Sequence, residues 1–286
     1  MQTRIKLELD LSKRTHIMGI LNRTPDSFSD GGLYMDEKES INRGLEMAFE
    51  GADIIDIGGE STRPGAEPVS AAEEMDRTIP VIRAVRQKID VPISIDTYKS
   101  EVAREALKNG AAMINDITGL RGDNRMAKLA AEYDVPVVVM HIKGTPQTMQ
   151  QGIHYDSLLE EIIASLQGSI GLAIEAGVAR NKIIIDPGIG FGKTTGHNLT
   201  ILNNLGALKV LGCPILVGIS RKSFIANTLK KCNINDGDII SVGQLMGTAS
   251  AAALSIANGA NILRVHDVKE MVHVARIADA INSAGQ

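Results

Sequence analysis

Residues 79–96 read IPVIRAVRQKIDVPISID and show the unit that is repeated along the chain. Ile82, Val85 and Ile89 recur at intervals of three and four residues with charged residues between them, which predicts an amphipathic helix. The apolar run 93–96 that follows is short and rich in isoleucine, as is typical of a strand buried on both faces. A helix that leads into such a strand predicts a parallel sheet with helices packed on it.

The same unit occurs eight times, each time as a run rich in Ile and Val followed by a loop and a helical pattern. The predicted strands are residues 17–21, 54–57, 93–96, 113–117, 137–140, 183–186, 215–218 and 262–265. Eight such units match a (β/α)8 barrel of about 250 residues better than an open doubly wound sheet. We therefore predict an α/β fold, a single TIM-barrel domain over residues 1–286, with a short N-terminal hairpin strand over residues 4–10.

The composition of the 286-residue chain excludes several classes of protein. Hydrophobic residues make up 44% and charged residues 22%, which is ordinary for globular proteins and unlike disordered or fibrous chains. Because 34 Asp and Glu outnumber 30 Lys and Arg, there is no general basic field for nucleic acid or anionic membranes. Four Tyr, four Phe and no Trp also leave few aromatic platforms for single-stranded bases. We predict small-molecule substrates, with no nucleic-acid or membrane partner.

The two cysteines and the N-terminal residues indicate the cellular compartment in which we expect this protein. Cys213 and Cys232 have neither CxxC spacing nor a His at ligand spacing, so no disulfide framework or zinc site is indicated. The N-terminal residues lack the apolar core of a signal peptide, and no run approaches the ~18 apolar residues of a spanning helix. We expect reduced thiols and a cytoplasmic protein.

Polar residues stand at the C-terminal end of every predicted strand. They are Asn22, Asp56, Asp96, Asn115 with Asp116, His141, Asp186, the trio Ser220-Arg221-Lys222, and Arg264 with His266. In a (β/α)8 barrel these ends form the catalytic face, so the whole set is predicted to converge on one mouth. Any single member could instead cap a helix or anchor a loop, and that structural role suits Asp56 and Asp116 best.

Two familiar motifs are excluded by single residues. In segment 187–194, a Walker A loop needs Gly at the position of Pro187, and a GxGxxG fingerprint needs Gly at that of Lys193. Segment 218–222 lacks the last Gly of a nucleophile elbow, and no pattern of His and Asp partners supports Ser220 as a nucleophile. We expect neither ATP or NAD binding nor acyl transfer.

The polar set divides into two groups by its chemistry. Asp96, Asn115 and Asp186 offer carboxylate and amide groups that pair with the donor edge of a nitrogen heterocycle. Local cations and donors for a phosphorylated group come from Asn22, Arg63, Arg264 and His266. Two loops rich in Gly, Pro and Ser, residues 22–32 and 58–68, exceed the ~2 to 6 residues of a βα turn and predict lids over the site.

Eight sequence blocks stand in order along nearly the whole chain. They are residues 18–32 (MGILNRTPDSFSDGG), 58–68, 94–99 (SIDTYK), 115–117, 140–141, 186–193 (DPGIGFGK), 218–222 (GISRK) and 262–269. Together they resemble the bacterial dihydropteroate synthases. The resemblance implies a (β/α)8 homodimer that condenses 6-hydroxymethyl-7,8-dihydropterin diphosphate with p-aminobenzoate in folate biosynthesis, giving 7,8-dihydropteroate and diphosphate. It also implies Mg²⁺ as cofactor and sulfonamides as competitors for the aminobenzoate position.

The same resemblance implies a role for individual residues. Pterin binding is implied for Asp96, Asn115, Asp186 and Lys222, and Asp96, Asp186 and Lys222 are also the implied catalytic residues. Diphosphate binding is implied for Asn22, Arg63, Arg264 and His266, with Asn22 also a ligand of Mg²⁺. The aminobenzoate site is implied to be bordered by Thr62, Pro64, Phe191 and Ser220. Arg23 departs from the family, where an apolar residue such as Val is usual, and its extra charge is a further candidate anchor for diphosphate.

Two other functions suit a barrel of this kind. A methyltetrahydrofolate-dependent methyltransferase domain would share the pterin-binding Asp and Asn but needs no diphosphate clamp, and a non-catalytic pterin-binding barrel would need no lids. Arg63, His266 and segment 220–222 favour the synthase.

For the homodimer, the small residues in segment 243–253 predict a surface that permits close helix approach, with packing onto the barrel as the alternative.

Overall fold

A computed structural model describes residues 10–11, 13–24 and 36–284. Its strands are β1 His16–Asn22, β2 Ile54–Gly58, β3 Ile93–Asp96, β4 Met113–Asp116, β5 Val137–Met140, β6 Ile183–Asp186, β7 Leu216–Gly218 and β8 Ile262–Val265. Neighbouring strands are parallel, in the order β6-β5-β4-β3-β2-β1-β8-β7. A parallel bridge between Ile185 and Ile215 joins the two ends of this sheet and closes it. The predicted (β/α)8 barrel is therefore confirmed.

Helices follow each strand and cover the outside of the barrel. They are α1 Glu37–Glu50, α2 Ala71–Arg86, α3 Ser100–Lys108, α4 Met126–Tyr133, α5 Leu158–Glu175, α6 Thr195–Asn203, α7 Ser223–Lys231, α8 Asp236–Asp238, α9 Gln244–Ala257 and α10 Val268–Ser283. Helix α2 begins after Ser70, whose hydroxyl accepts a hydrogen bond from N of Glu73 at 3.2 Å. Its buried face includes Ile79, Ile82 and Val85, as the apolar spacing of this segment predicts.

The barrel interior below the mouth is an apolar layer with one residue from each of seven strands: Met18, Ile54, Met113, Val138, Ile184, Leu216 and Ile262. Successive side chains of a strand point to opposite faces, so the residue two positions further on points inward again, nearer the mouth. In four of these strands that residue is polar: Asp56, Asn115, Asp186 and Arg264. The polar residues of the mouth thus lie directly above the apolar layer.

Four strands differ from the prediction by one residue at one or both ends: β1 is longer at both ends, β2 is longer at its end, and β4 and β7 are shorter. Strand β4 ends at Asp116, because its carboxylate accepts hydrogen bonds from N of Thr118 at 2.7 Å and N of Leu120 at 3.1 Å and so turns the chain out of the sheet. The predicted structural role of Asp116 is thereby confirmed. Strand β7 begins at Leu216, since Ile215 makes the bridge that closes the barrel.

Several predictions concern parts of the chain that the structure describes only in part. Most of the predicted hairpin strand 4–10 and of the first lid loop 22–32 lies outside the described residues. Within the described ranges, every strand belongs to the one sheet, and the single domain over residues 1–286 stays a prediction. Cys213 and Cys232 are both free. No helix in the described part of the chain combines the length and the apolar character needed to cross a membrane.

Candidate active site

Arg264 joins side chains from three other strands in the barrel mouth. Its Nε donates a hydrogen bond to Oδ2 of Asp56 and its Nη2 donates to Oδ2 of Asp96, both at 2.6 Å. Nδ2 of Asn115 donates to the same Oδ2 of Asp56 at 2.9 Å. Three residues predicted for the site, Asp96, Asn115 and Arg264, therefore form one connected group around Asp56.

The electrostatics of this group follow from its burial. Burial raises the pKa of Asp96, and the positive charge of Arg264 opposes that rise. Burial alone lowers the pKa of Arg264, but the carboxylates of Asp56 and Asp96 raise it above its usual value. Oδ1 of Asp56 is buried and has no hydrogen-bond partner among the described residues. A buried oxygen of this kind is costly unless it is paired, and a donor from a ligand would satisfy it.

Asp186 and Lys222 form a second buried group on the β6 and β7 side of the mouth. Burial raises the pKa of Asp186 and lowers the pKa of Lys222 to about 8, and in each case the charge of the other residue opposes the shift. Oδ1 of Asp186 accepts a hydrogen bond from N of Gly188 at 2.7 Å. Nζ of Lys222 donates to O of Ile189 and lies 4.6 Å from the centroid of the Phe191 ring. The structure thus brings Asp186, Lys222 and Phe191 together, as the resemblance implies.

Ser220 and His266 are in contact at the ends of β7 and β8. Nδ1 of His266 lies 3.1 Å from Oγ of Ser220, which also accepts a hydrogen bond from N of His266 at 3.2 Å. Burial lowers the pKa of His266 to about 4, helped by the positive charges of Arg264, Arg221 and Arg63. The imidazole is therefore neutral at pH 7. It can donate a hydrogen bond to phosphate, but the expectation that it adds a positive charge was wrong, because the sequence does not show its burial.

The second lid loop, between β2 and α2, brings Arg63 to the same side of the mouth. The charge of Arg63 is among the causes that lower the pKa of His266, so the two side chains are electrostatically coupled. Arg63 and Pro64 are exposed, and Thr62 is half-buried. The three loop residues predicted for the diphosphate and aminobenzoate sites are therefore accessible to ligands.

The same loop is anchored on both sides of Arg63. At its base, Nζ of Lys99 forms ion pairs with Oε2 of Glu60 and, at 2.5 Å, with Oε2 of Glu74 on α2. Further along, N of Gly65 donates to O of Pro146 in the loop after β5, at 3.1 Å. These contacts hold the described conformation of the lid.

A cavity of about 470 Å³ opens between this lid and the loop after β5. Its lining includes Ser61, Tyr98, Ile117, Met140 and Ile142. Because Met140 ends β5 and Ile117 follows β4, the cavity adjoins the mouth. Its volume falls in the range of small-molecule sites, roughly 300 to 1,000 Å³.

Known proteins match this chain along most of its length. The family described as pterin binding enzyme matches residues 18–266. The dihydropteroate synthase of Synechocystis sp. is 48% identical over 272 residues, which are 95% of this chain and 92% of that protein. The chain belongs to the dihydropteroate synthase family. The resemblance seen in the sequence and the transferase class that it implies are thereby confirmed.

Solved structures from the dihydropteroate synthase family share the whole fold. One is the Clostridium difficile enzyme in the presence of pteroic acid, with a TM-score of 0.84, 47% identity and coverage of 96% of this chain and 98% of that chain. Another is the Yersinia pestis enzyme with a sulfonamide drug, with a TM-score of 0.88, 43% identity and coverage of 96% and 97%. These relatives are all synthases, so they lend no support to the methyltransferase or non-catalytic alternatives.

Two residues have roles in the synthase mouth that the sequence pattern did not reveal. Asp56, predicted to be structural, holds both Asn115 and Arg264 and so supports the site directly. Lys193, which stood out only as the residue that breaks a GxGxxG fingerprint, is buried, and its Nζ lies 2.9 Å from Nδ1 of His141. His141 and Lys193 are 52 positions apart, so no local sequence signal indicates their contact.

Asn22, the last residue of β1, lies beside Asp96 in the mouth. A Cβ built on Gly58 would lie 3.3 Å from Oδ1 of Asn22 and 3.4 Å from Cβ of Asp96, so glycine keeps the space between these side chains open.

Arg23, which departs from the family, donates from Nη1 to O of Arg77 on α2 at 2.8 Å. That hydrogen bond ties the Arg23 guanidinium to the outer helix layer, which argues against it as a diphosphate anchor.

The donor chemistry of this part of the mouth suits Mg²⁺ that arrives with phosphate. Mg²⁺ keeps several water ligands and is usually bound through one or two protein oxygens together with substrate phosphates. The amide oxygen of Asn22 is a ligand of that kind. Among the described residues, no group of three or more His, Cys, Asp or Glu side chains could hold a metal ion. The amide oxygen of Asn22 is the protein oxygen that an ion shared with a substrate phosphate would use.

Proposed function

We propose that this mouth condenses 6-hydroxymethyl-7,8-dihydropterin diphosphate with p-aminobenzoate to give 7,8-dihydropteroate and diphosphate. The observation that carries the proposal is that two buried polar groups, one around Arg264 and one around Lys222, share a single site. Their charges interact, because Arg264 and Asp96 both affect the pKa of Lys222. Such a site offers acceptors to a polar ring and cations to an anion at the same time.

The pterin ring is assigned to Asp96, Asn115, Asp186 and Lys222. Carboxylates accept the N–H groups of the ring, the amide of Asn115 both donates and accepts, and the ammonium of Lys222 donates. Because the site is buried, each of these hydrogen bonds contributes to binding: a polar atom left unpaired there costs about 1 to 3 kcal/mol of free energy. The apolar layer beneath the mouth closes the floor of this pocket.

The diphosphate is assigned to Asn22, Arg63, Arg264 and His266. Arg264 uses Nε and Nη2 for Asp56 and Asp96, and its remaining N–H groups can still donate to phosphate. The neutral imidazole of His266 adds an N–H donor. We further propose Mg²⁺ at Asn22, where it would supply positive charge to the leaving group.

The p-aminobenzoate is assigned to the space bordered by Thr62, Pro64, Phe191 and Ser220. Phe191 lies beside Lys222, and Ser220 lies beside His266, so this space adjoins both of the other subsites. The arylamine can then approach the carbon that bears the diphosphate. A sulfonamide, which resembles p-aminobenzoate in shape, would compete for the same space.

The reaction exchanges one bond at the exocyclic methylene carbon of the pterin. The carbon–oxygen bond to diphosphate breaks and its electron pair leaves with the diphosphate, a carbon–nitrogen bond forms to the arylamine, and the arylamine nitrogen releases one proton to solvent. Positive charge develops on the pterin, where Asp96 and Asp186 stabilise it, while Arg264 stabilises the departing anion. Lys222 holds the ring in place, and no covalent nucleophile is required.

We also infer a homodimer that forms through α9 and α10. Met246 and Leu254 on α9 are 59% and 63% exposed, and Ile277 and Ile281 on α10 are 65% and 68% exposed. The two helices are neighbours, so they offer a second copy of the chain an apolar face of a kind that monomers rarely expose. The small residues of segment 243–253 support this only in part, since a Cβ on Gly247 would lie 2.2 Å from Cγ2 of Ile225 on α7. The cytoplasmic location stays a prediction.

A turnover experiment tests the proposed function. The purified protein is incubated with the pterin diphosphate, p-aminobenzoate and Mg²⁺, and both products are quantified by chromatography. We expect equal amounts of dihydropteroate and diphosphate. Diphosphate release that does not depend on p-aminobenzoate would indicate hydrolysis, and the absence of both products would overturn the proposal.

A further inference from the structure

The loop of residues 187–193 joins β6 to α6 and carries Phe191, which borders the proposed aminobenzoate site. Gly188, Gly190 and Gly192 have φ angles of 68°, 84° and 68°, so every second residue adopts the left-handed conformation that glycine tolerates. A Cβ on Gly188 would lie 1.9 Å from O of His141. The loop therefore packs directly against the residue that follows β5.

Lys193, at the end of this loop, holds it from within. The residue is 3% exposed, and its Nζ lies 2.9 Å from O of Phe191, 2.9 Å from Nδ1 of His141 and 3.4 Å from O of His141. Burial lowers the pKa of Lys193 to about 7, against the attraction of Asp186, but the amine keeps N–H donors in both charge states. The side chain thus connects the backbone of Phe191 to His141.

His141 is suited to accept this hydrogen bond. Burial lowers its pKa to about 3, and the nearby charge of Lys193 adds to the effect, so the imidazole is neutral at pH 7. The ammonium form of Lys193 has only donors, so Nδ1 of His141 accepts from it when the ring proton lies on Nε2. Neither His141 nor Lys193 belongs to the pterin, diphosphate or aminobenzoate sets assigned above.

The other end of the loop is held by the pterin site. Nζ of Lys222 donates to O of Ile189 and lies against the ring of Phe191. Phe191 is therefore held at two points. Its ring lies against Nζ of Lys222, and its backbone carbonyl accepts a hydrogen bond from Nζ of Lys193. A shift of that carbonyl would move the ring against which p-aminobenzoate is proposed to bind.

We infer that His141 and Lys193 are positioning residues for the second substrate, because their contact sets the place of Phe191 without touching either substrate. The inference rests on the proposed function for the role of Phe191. It predicts a larger effect on p-aminobenzoate than on the pterin diphosphate, since the hydrogen bond from N of Gly188 to Asp186 lies at the β6 end of the loop and Lys193 lies at the other end, next to Phe191.

The loop has further contacts that allow it to fold without Lys193. The hydroxyl of Tyr155 donates to O of Gly192 at 2.9 Å, and Nε2 of Gln150 donates to O of Gly190 at 3.0 Å. A Lys193→Met variant, which keeps the length and apolar part of the side chain, should therefore fold. His141→Leu and His141→Gln form a second test, since only Gln retains an acceptor for the lysine.

The experiment measures the KM of each substrate for Lys193→Met, His141→Leu and His141→Gln. We expect Lys193→Met and His141→Leu to raise the KM for p-aminobenzoate about tenfold or more, as for a lost hydrogen bond to a charged group, with the KM for pterin diphosphate nearly unchanged. His141→Gln should lie close to the wild type. The double variant Lys193→Met/His141→Leu should be no worse than Lys193→Met alone, because the contact with Nδ1 of His141 that His141→Leu removes is already lost in Lys193→Met.

The matched control is Lys182→Met, at the opposite end of β6, where Lys182 forms an ion pair with Asp134 at 2.5 Å. It should leave both KM values unchanged. Equal rises in both KM values for Lys193→Met, or a fall in kcat alone, would overturn the positioning role.

Calorimetric titration of p-aminobenzoate in the presence of diphosphate and Mg²⁺ tests the same contact without turnover. A wild type that binds p-aminobenzoate but forms no product would overturn the proposed function, and weaker binding by Lys193→Met would still support the positioning role.

Discussion

Nε of Arg264 lies 2.6 Å from Oδ2 of Asp56 across the mouth of the barrel. The same oxygen accepts the hydrogen bond from Nδ2 of Asn115. One fully buried carboxylate therefore sets the position of a residue assigned to the diphosphate and of a residue assigned to the pterin ring. This shared anchor explains how the two halves of the first substrate can be held in one fixed geometry.

Asp56→Asn is expected to impair both halves of that site. The amide keeps the size of the carboxylate but removes its charge, which leaves Arg264 with Asp96 as its one described ion-pair partner. We expect kcat/KM for pterin diphosphate to fall about tenfold or more, since breaking one side of a buried ion pair is strongly unfavourable. Steady-state kinetics measures this directly.

Asp116→Asn is the matched control for Asp56→Asn. Asp116 is also a fully buried aspartate, on the neighbouring part of the barrel, but the hydrogen bonds that it accepts come from Thr118 and Leu120. The variant should lower the melting temperature and leave the KM for pterin diphosphate unchanged. Similar kinetic losses in both variants would mean that any buried aspartate is needed for folding and that Asp56 has no special role.

Asp186→Asn is expected to weaken pterin binding without disturbing the loop that follows. The Asn oxygen can still accept the hydrogen bond from N of Gly188, so the loss is confined to the charge that faces the ring and Lys222. We expect the calorimetric affinity for a diphosphate-free pterin to fall by about 5- to 150-fold, the equivalent of 1 to 3 kcal/mol. Unchanged affinity would remove Asp186 from the pterin site.

The barrel and most of its mouth could be predicted because they depend on local patterns, namely short runs rich in Ile and Val that each end at a polar residue. A strand such as Ile183–Asp186 carries its own signal, in which an inward apolar residue is followed two positions later by an inward polar one. The β/α order then brings the strand ends together whatever the details of the loops. Asp96, Asn115, Asp186 and Arg264 are recognisable from the sequence for this reason.

The remaining features depend on contacts between distant segments. The link between Asp56 and Arg264 spans 208 positions, and the contact between His141 and Lys193 spans 52. The charge of His266 depends on its burial, which no local pattern reveals. Gly247 looks like part of a dimer surface in the sequence, but its small size serves packing against α7.

The low pKa of His266 predicts a specific dependence of stability on pH. In the unfolded chain this histidine binds a proton near pH 6.5, whereas the folded protein binds it only near pH 4. Between these values the unfolded state binds more protons, so the contribution of His266 to stability falls as the pH falls from 6.5 towards 4, by at most about 1.4 kcal/mol per pH unit.

His266→Gln isolates this contribution, because the raised pKa values of Asp96 and Asp186 shift the pH dependence of the wild type in the opposite direction. The measurement is the difference in unfolding free energy between wild type and variant at pH 7 and pH 5. We expect the wild type to lose stability relative to the variant at pH 5. A constant difference would show that the folded histidine titrates normally.

The proposed dimer surface can be tested with a single charge. Leu254→Asp places a carboxylate in the centre of the exposed apolar face of α9, where burial against a second copy would be costly. Sedimentation velocity should show a dimer for the wild type and a monomer for the variant. Phe49→Asp is the control, since Phe49 on α1 is 94% exposed and lies outside the proposed surface. A monomeric wild type, or dissociation by both variants, would contradict the assignment.

The central claim is that the pterin lies in the mouth between the two buried polar groups. A crystal structure of this chain with pteroic acid, which contains both the pterin ring and the aminobenzoate, tests it most directly. We expect the ring within hydrogen-bond distance of Asp96, Asn115 and Asp186, and the benzoate beside Phe191. A pterin ring bound instead in the neighbouring cavity lined by Tyr98 and Ile142 would show that the mouth is not the pterin site.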